Sequence, residues 1–138
     1  MAYFCNMLHV SDTIVAIATA PGQGAIGIIR LAGANAISIV NSIFKGKDLT
    51  KQATHTLHFG RIMDGTTVID EVVVALYKGP RSYTGDDIAE ISCHGSTYIM
   101  QQIMGLCAAK GAVMARPGEF TMRAFLNGKL DLAQAEAV

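Results

Sequence analysis

The sequence is short of charge, of cysteine and of long apolar runs, and each shortage excludes a class of function. Only 16% of its 138 residues are charged, and eleven Lys and Arg cancel eleven Asp and Glu. A nucleic-acid binder working through bulk charge needs a basic excess, so that mode is excluded. The longest strongly apolar run, Val72 to Leu76, is far too short to span a bilayer. The three cysteines (Cys5, Cys93, Cys107) show neither CxxC nor metal-finger spacing. Reduced thiols in a cytoplasmic protein fit that usage. No charged segment followed by a long apolar core opens the chain, so no secretory signal is visible. Met1 to Val10 carry no clear pattern, and residues 1–11 are read as an extension. What is present is an apolar chain, 51% hydrophobic, of about one domain's length. A chain of that size buries roughly two-thirds of its unfolded surface, and this composition excludes disorder.

Local patterns alternate between strand and helix. Thr13–Thr19 and Ala25–Leu31 read as strands, the first ended by Ala20-Pro21-Gly22 and the second by Gly33. Ile37, Val40, Ile43 and Phe44 recur at helical spacing within Ala34–Phe44, and Lys45–Thr54 reads as a loop. Asp64-Gly65 joins two β-branched-rich runs, His55–Met63 and Val68–Lys78, as a hairpin. Val72–Leu76 lacks alternation, which predicts a strand buried on both faces. After a loop from Gly79 to Asp86, Asp87–His94 alternates: Ala89, Ile91 and Cys93 share one face, and Ile88, Glu90, Ser92 and His94 the other.

Ser96 is placed to cap a helix that Gly111 ends, and a short strand, Ala112–Ala115, follows. Pro117 suits the first turn of a helix through Leu126, with Gly128 at its stop. Asp131 and Gln134 start one more helix, in which the sequence ends, as a fragment of a longer protein would. The expected fold is α/β of the α+β type, a mixed β-sheet with packed helices.

Several motifs invite chemistry. Gly22-Gln23-Gly24-Ala25-Ile26-Gly27 matches the dinucleotide fingerprint by letter, but Ile26, Ile28 and Ile29 favour a strand where a helix must open. A glycine-rich turn between strands is the better reading. The P-loop pattern does not occur: Gly46-Lys47 is followed by Asp48, and Gly128-Lys129 by Leu130. Glu90, with Ser92 and His94, is either half of a recognition face or a solvated edge. Its carboxylate has the geometry to receive adjacent N–H donors of a heterocycle. Arg30 and Lys129 are either anion-binding groups or surface charges. Cys93 and His94 point apart on a strand, so they make no nucleophile–base dyad. His55 and His58 share no strand face, so they make no metal pair. Met100, Met104, Met114 and Met122 read as core filler.

Four segments then converge on one family. They are Asp12-Thr13-Ile14-Val15-Ala16 through Pro21–Arg30; Gly79-Pro80-Arg81-Ser82-Tyr83-Thr84-Gly85-Asp86-Asp87; Glu90 through His94-Gly95; and Ala115-Arg116-Pro117-Gly118-Glu119-Phe120 through Arg123–Ala137. Together they resemble the N-terminal domain of the MnmE (TrmE) family of tRNA-modification GTPases. That domain is similar to the folate-binding part of glycine-cleavage T-proteins.

The resemblance implies an α/β domain that forms a homodimer and binds 5-formyltetrahydrofolate or another tetrahydrofolate derivative as a one-carbon source. It further implies a helical domain with an inserted GTPase domain, where potassium and magnesium act. With the flavoprotein MnmG, such proteins modify the wobble uridine of tRNA. By the same resemblance the cofactor-binding residues are Arg30, Glu90 and Lys129, and no catalytic or metal-binding residue is assigned in this chain. Residues 12–128 are the folate-binding and dimerisation domain, and 129–138 begin the helical domain. Asp86 stands where the family commonly has glutamate and Gln23 where it often has arginine. Two alternatives are a dimerisation module without folate and a free-standing folate-dependent transferase.

Overall fold

The computed structural model describes residues 12–20 and 24–129. The expected helix after Asp131 and the chain before Asp12 lie outside the described residues. Strands β1 (Ile14–Ile17) and β2 (Ile26–Ala32) are followed by helix α1 (Ala36–Ile43) and the short strand β3 (Phe44–Lys45). The hairpin β4 (Thr56–Asp64) and β5 (Thr67–Tyr77) precedes β6 (Ile88–His94), α2 (Thr97–Ala109), β7 (Val113–Met114) and α3 (Glu119–Leu126). The strands form one seven-stranded sheet, ordered β3-β4-β5-β6-β2-β1-β7. Among the described residues only β1 and β7 pair in parallel, so the sheet is mixed, as expected.

The β6–α2–β7 crossover passes over β2 and β1. Strand alternation sends Val15, Ile29, Leu31, Val72, Val74, Leu76, Ala89, Ile91 and Cys93 to one face. There Ile37, Val40 and Ile43 of α1 and Met100, Ile103, Met104 and Cys107 of α2 close over them. Each such aliphatic side chain, fully buried, contributes on the order of 1.5–3 kcal/mol. Among the described residues the opposite face is covered at one end only. Ile14, Ala32 and Ile88 form a second small core there with Tyr77, Ala115 and Phe120. At the other end Leu57, Phe59 and Ile26 are 70%, 67% and 63% exposed.

Four details depart from the sequence reading. Helix α3 starts at Glu119, not at Pro117, because Gly118 adopts φ +76, a left-handed cap that no helix continues through. The Glu119 carboxylate then reaches back to accept the Arg116 N–H at 2.9 Å. Met114 is exposed, since among the described residues the two-residue strand β7 stands at the edge of the sheet. The stretch after α1 contains Lys45 in β3 and a 3-10 turn, Leu49–Lys51, that buries Leu49. Val73 is only half-buried, because the outer face of β5 is open at its position.

His94-Gly95 runs against residue 24: the Gly24 N–H donates to the Gly95 carbonyl at 3.3 Å, and the Gly95 N–H to Ala25 at 3.2 Å. A Cβ on Gly95 would fall 2.1 Å from the Gly24 carbonyl oxygen, which is backbone and cannot swing aside. Gly105, within α2, has nothing within 4 Å of a Cβ. Gly95→Ala should therefore destabilise by about 1–3 kcal/mol, whereas Gly105→Ala should stabilise by up to about 1 kcal/mol. Urea unfolding monitored by circular dichroism checks both signs, and equal effects would contradict the packing.

Candidate functional site

The antiparallel register of β2 on β6 sets Arg30 directly opposite Glu90. Their side chains therefore emerge together on the half-covered face, and the Arg30 Nε donates to Glu90 Oε2 at 2.6 Å. Both are largely shielded, with side chains 28% and 20% exposed. Two aromatic rings stand over the guanidinium: its carbon lies 5.8 Å from the Tyr83 centroid and 5.5 Å from that of Phe120. Both separations are within cation–π range. Arg30, Tyr83, Gly118, Phe120 and Thr121 line an open cavity of about 480 Å³. That falls within the range of small-molecule sites.

Each wall is held by its own support. Tyr83 belongs to the β5–β6 loop, and its hydroxyl meets Thr121 Oγ1 of α3 at 2.7 Å. Helix α3 is anchored by a buried charge cluster in which Arg123 Nη2 donates to Glu119 Oε2 at 3.4 Å and Nη1 lies 4.0 Å from Asp86 Oδ2. Burial pushes the Asp86 carboxyl above the usual carboxylate range, against the pull of the Arg123 guanidinium.

Of the three expected site residues, the structure joins Arg30 and Glu90 and sets Lys129 apart. Lys129 Nζ donates to the Pro80 carbonyl at 2.9 Å, so it grips the β5–β6 loop and does not line the cavity. Further along β6, Ser92 and His94 line a smaller hollow of about 220 Å³ with Ile26, Phe59 and Val73. His94 is oriented by Asp70, which accepts the His94 backbone N–H at 2.8 Å and lies 2.7 Å from ring Nδ1.

Sequence reasoning missed Tyr83, Phe120 and Asp70 as site-forming residues. An aromatic residue inside a polar loop (Ser82-Tyr83-Thr84) was an available signal for Tyr83. None existed for Asp70, whose partner is 24 residues away. The glycine-rich fingerprint opens no helix: β2 starts at Ile26, inside the motif. Among the described residues, no group of three or more His, Cys, Asp or Glu is placed to hold a metal ion. No helix among them is long and apolar enough to cross a membrane.

Comparison with known proteins gives this geometry a family. The family model described as GTP-binding protein TrmE N-terminus matches residues 13–129. The chain belongs to that family. The matched span includes Arg30, Glu90 and, as its last residue, Lys129. The chain is 65% identical over 130 residues to the tRNA modification GTPase MnmE of Flavobacterium johnsoniae, covering 92% of this chain. It is 60% identical over 131 residues to the Bacteroides thetaiotaomicron protein of the same name and 53% over 129 residues to that of Bacillus cytotoxicus, again covering 92% of the chain. The chain spans 28% of the length of each of these relatives.

Beside the site, Cys93 faces inward and its Sγ donates to the Gly27 carbonyl at 3.5 Å. Burial, with the Asp70 charge adding to it, pushes this thiol up to about 11. Burial alone pushes Cys107 to about 12. At pH 8 the thiolate fraction of Cys93 is about a thousandth, so it is a packing residue and not a nucleophile. Iodoacetamide at pH 8 should leave the Cys93 and Cys107 peptides unlabelled in the native chain and label both in urea, as read by mass spectrometry. Native labelling of Cys93 would contradict the burial.

Proposed function

We propose that this chain is the tetrahydrofolate-binding, homodimer-forming part of a cytoplasmic tRNA-modifying GTPase that acts on the wobble uridine together with the flavoprotein MnmG. The observation that carries the reading is the Arg30–Glu90 pair beside an aromatic-walled cavity of about 480 Å³. A reduced folate needs a flat slot for its ring, a carboxylate for the ring's N–H donors and cations for its anionic tail. Tyr83 and Phe120 offer the slot and Glu90 the carboxylate, whose two oxygens have about four acceptor sites between them. Engagement with Arg30 at one oxygen therefore leaves capacity for a ligand. Arg30 and Lys129 serve the ring carbonyl and the tail carboxylates. When bound, the folate supplies the one-carbon unit.

Dimerisation is supported by the open half of the sheet, where Leu57, Phe59 and Ile26 present apolar surface beside Val73 and Ser92. Exposed apolar patches of this kind mark interaction surfaces. The chain carries no P-loop pattern, so GTP hydrolysis, with its potassium and magnesium, and tRNA contact are assigned to the remainder of a longer protein.

Calorimetry with 5-formyltetrahydrofolate tests the reading. The wild-type chain should bind saturably, and Glu90→Gln should lose about 10- to 100-fold in affinity, because the amide offers one acceptor and a misplaced donor. Unchanged affinity in Glu90→Gln would remove Glu90 from the site. A well-folded dimer by sedimentation that binds no folate would favour a pure dimerisation module.

A further inference from the structure

The loop that carries Tyr83 is braced within itself. Ser82 Oγ donates to the Asp86 carbonyl and accepts the Gly85 N–H at 3.1 Å, and Thr84 Oγ1 accepts the Asp86 N–H at 3.2 Å. A loop so cross-linked moves as a unit; Lys129 holds its Pro80 end and Thr121 meets the Tyr83 hydroxyl, and the grip nearest the Tyr83 backbone completes its alignment. That grip comes from Asn127, at the C-terminal cap of α3. Its Nδ2 donates to the Thr84 carbonyl at 2.7 Å, one residue past Tyr83. Gly85 has φ +88, and a Cβ there would fall 2.9 Å from Asn127 Cβ, so the amide side chain fills the hollow glycine leaves. Asn127 is itself fixed by its backbone N–H, which donates to the Arg123 carbonyl at 2.9 Å. Arg123 belongs to the buried cluster beneath the loop.

We propose that Tyr83 is a ring-stacking wall of the ligand site and that Asn127 is its positioning residue, acting on the ring half of the ligand through Tyr83 alone. The proposal rests on the folate reading and deepens it. An aromatic face stacks a flat heterocycle in offset or edge-on geometry, so the proposal separates ring recognition (Tyr83, Asn127) from tail recognition. Removing Asn127 frees the loop and misaligns Tyr83. Once Tyr83 is truncated, Asn127 has nothing left to align.

The test is a double-mutant cycle read by calorimetry, with 5-formyltetrahydrofolate and with a tetrahydropterin lacking the aminobenzoyl-glutamate tail. Tyr83→Ala and Asn127→Ala should each weaken both ligands roughly five- to tenfold. The double variant should match Tyr83→Ala within about twofold, and Tyr83→Phe should keep most of the affinity. Should Asn127→Ala prove poorly folded, Asn127→Ser removes the donor to the Thr84 carbonyl without setting a second carboxylate beside Asp86, with the same expected loss. Additive losses, a loss confined to the tail-bearing ligand, or wild-type affinity in the Asn127 variants would overturn the proposal and leave the folate reading standing. A wild-type chain that binds neither ligand would overturn both.

Discussion

The opposition of Arg30 and Glu90 across β2 and β6 is the arrangement on which the site depends, and the ion pair does not create it. Strand side chains alternate with period two, so a slip of one residue would send both groups to the other face. Register is held by the inner rows, where Ile29 and Leu31 on β2 lie opposite Ile91 and Ala89 on β6, all of them fully buried. Burial of those side chains contributes several kcal/mol. A partly exposed ion pair contributes up to about 1 kcal/mol. The apolar core under α1 and α2 therefore decides where the charges meet. The charges decide what happens on the other face.

That other face is divided, and the division explains the position of the cavity. Helix α3 and the β5–β6 loop cover the end that holds Ile14, Ala32 and Ile88, while Leu57, Phe59 and Ile26 remain exposed at the other end. Arg30 and Glu90 sit at the boundary, shielded enough for directional bonds to count yet open to a ligand. Covering the first end requires α3 to hold a fixed orientation on little apolar surface. The Glu119–Arg123–Asp86 cluster supplies that orientation. Buried charges cost desolvation, so their value lies in specifying one arrangement more than in net stability.

Most strands and helices were legible because their signals are local and periodic. The alternation in Asp87–His94 announced β6 and separated Ile91 from Glu90 before any partner strand was known. The glycine fingerprint fails on the same ground, since isoleucines at 26, 28 and 29 belong to a strand. Boundaries decided by one residue's dihedral were not legible: Gly118 in a left-handed conformation delayed α3 by two residues past Pro117. The site was half legible. Arg30 and Glu90 were named separately, but their pairing depends on a register spanning 60 residues of sequence. Lys129 was named beside them, yet its contact with Pro80 crosses 49 residues and places it on the loop. Tyr83 and Phe120 were hidden because each gains its role only from standing over the same guanidinium.

The low charge content of the chain now has a structural counterpart. The charged groups around the site are paired locally: Arg30 with Glu90, and Arg123 with Glu119 and Asp86. Paired charges project little field beyond a Debye length of about 8–10 Å, so the cavity draws a ligand weakly from a distance. Discrimination must then come at contact, from ring shape against Tyr83 and Phe120 and from directional N–H donation to Glu90. A ligand with only negative charge to offer meets a guanidinium whose Nε is already engaged by Glu90. A flat heterocycle with paired N–H groups meets instead two aromatic walls, Tyr83 and Phe120, and the spare acceptor capacity of Glu90.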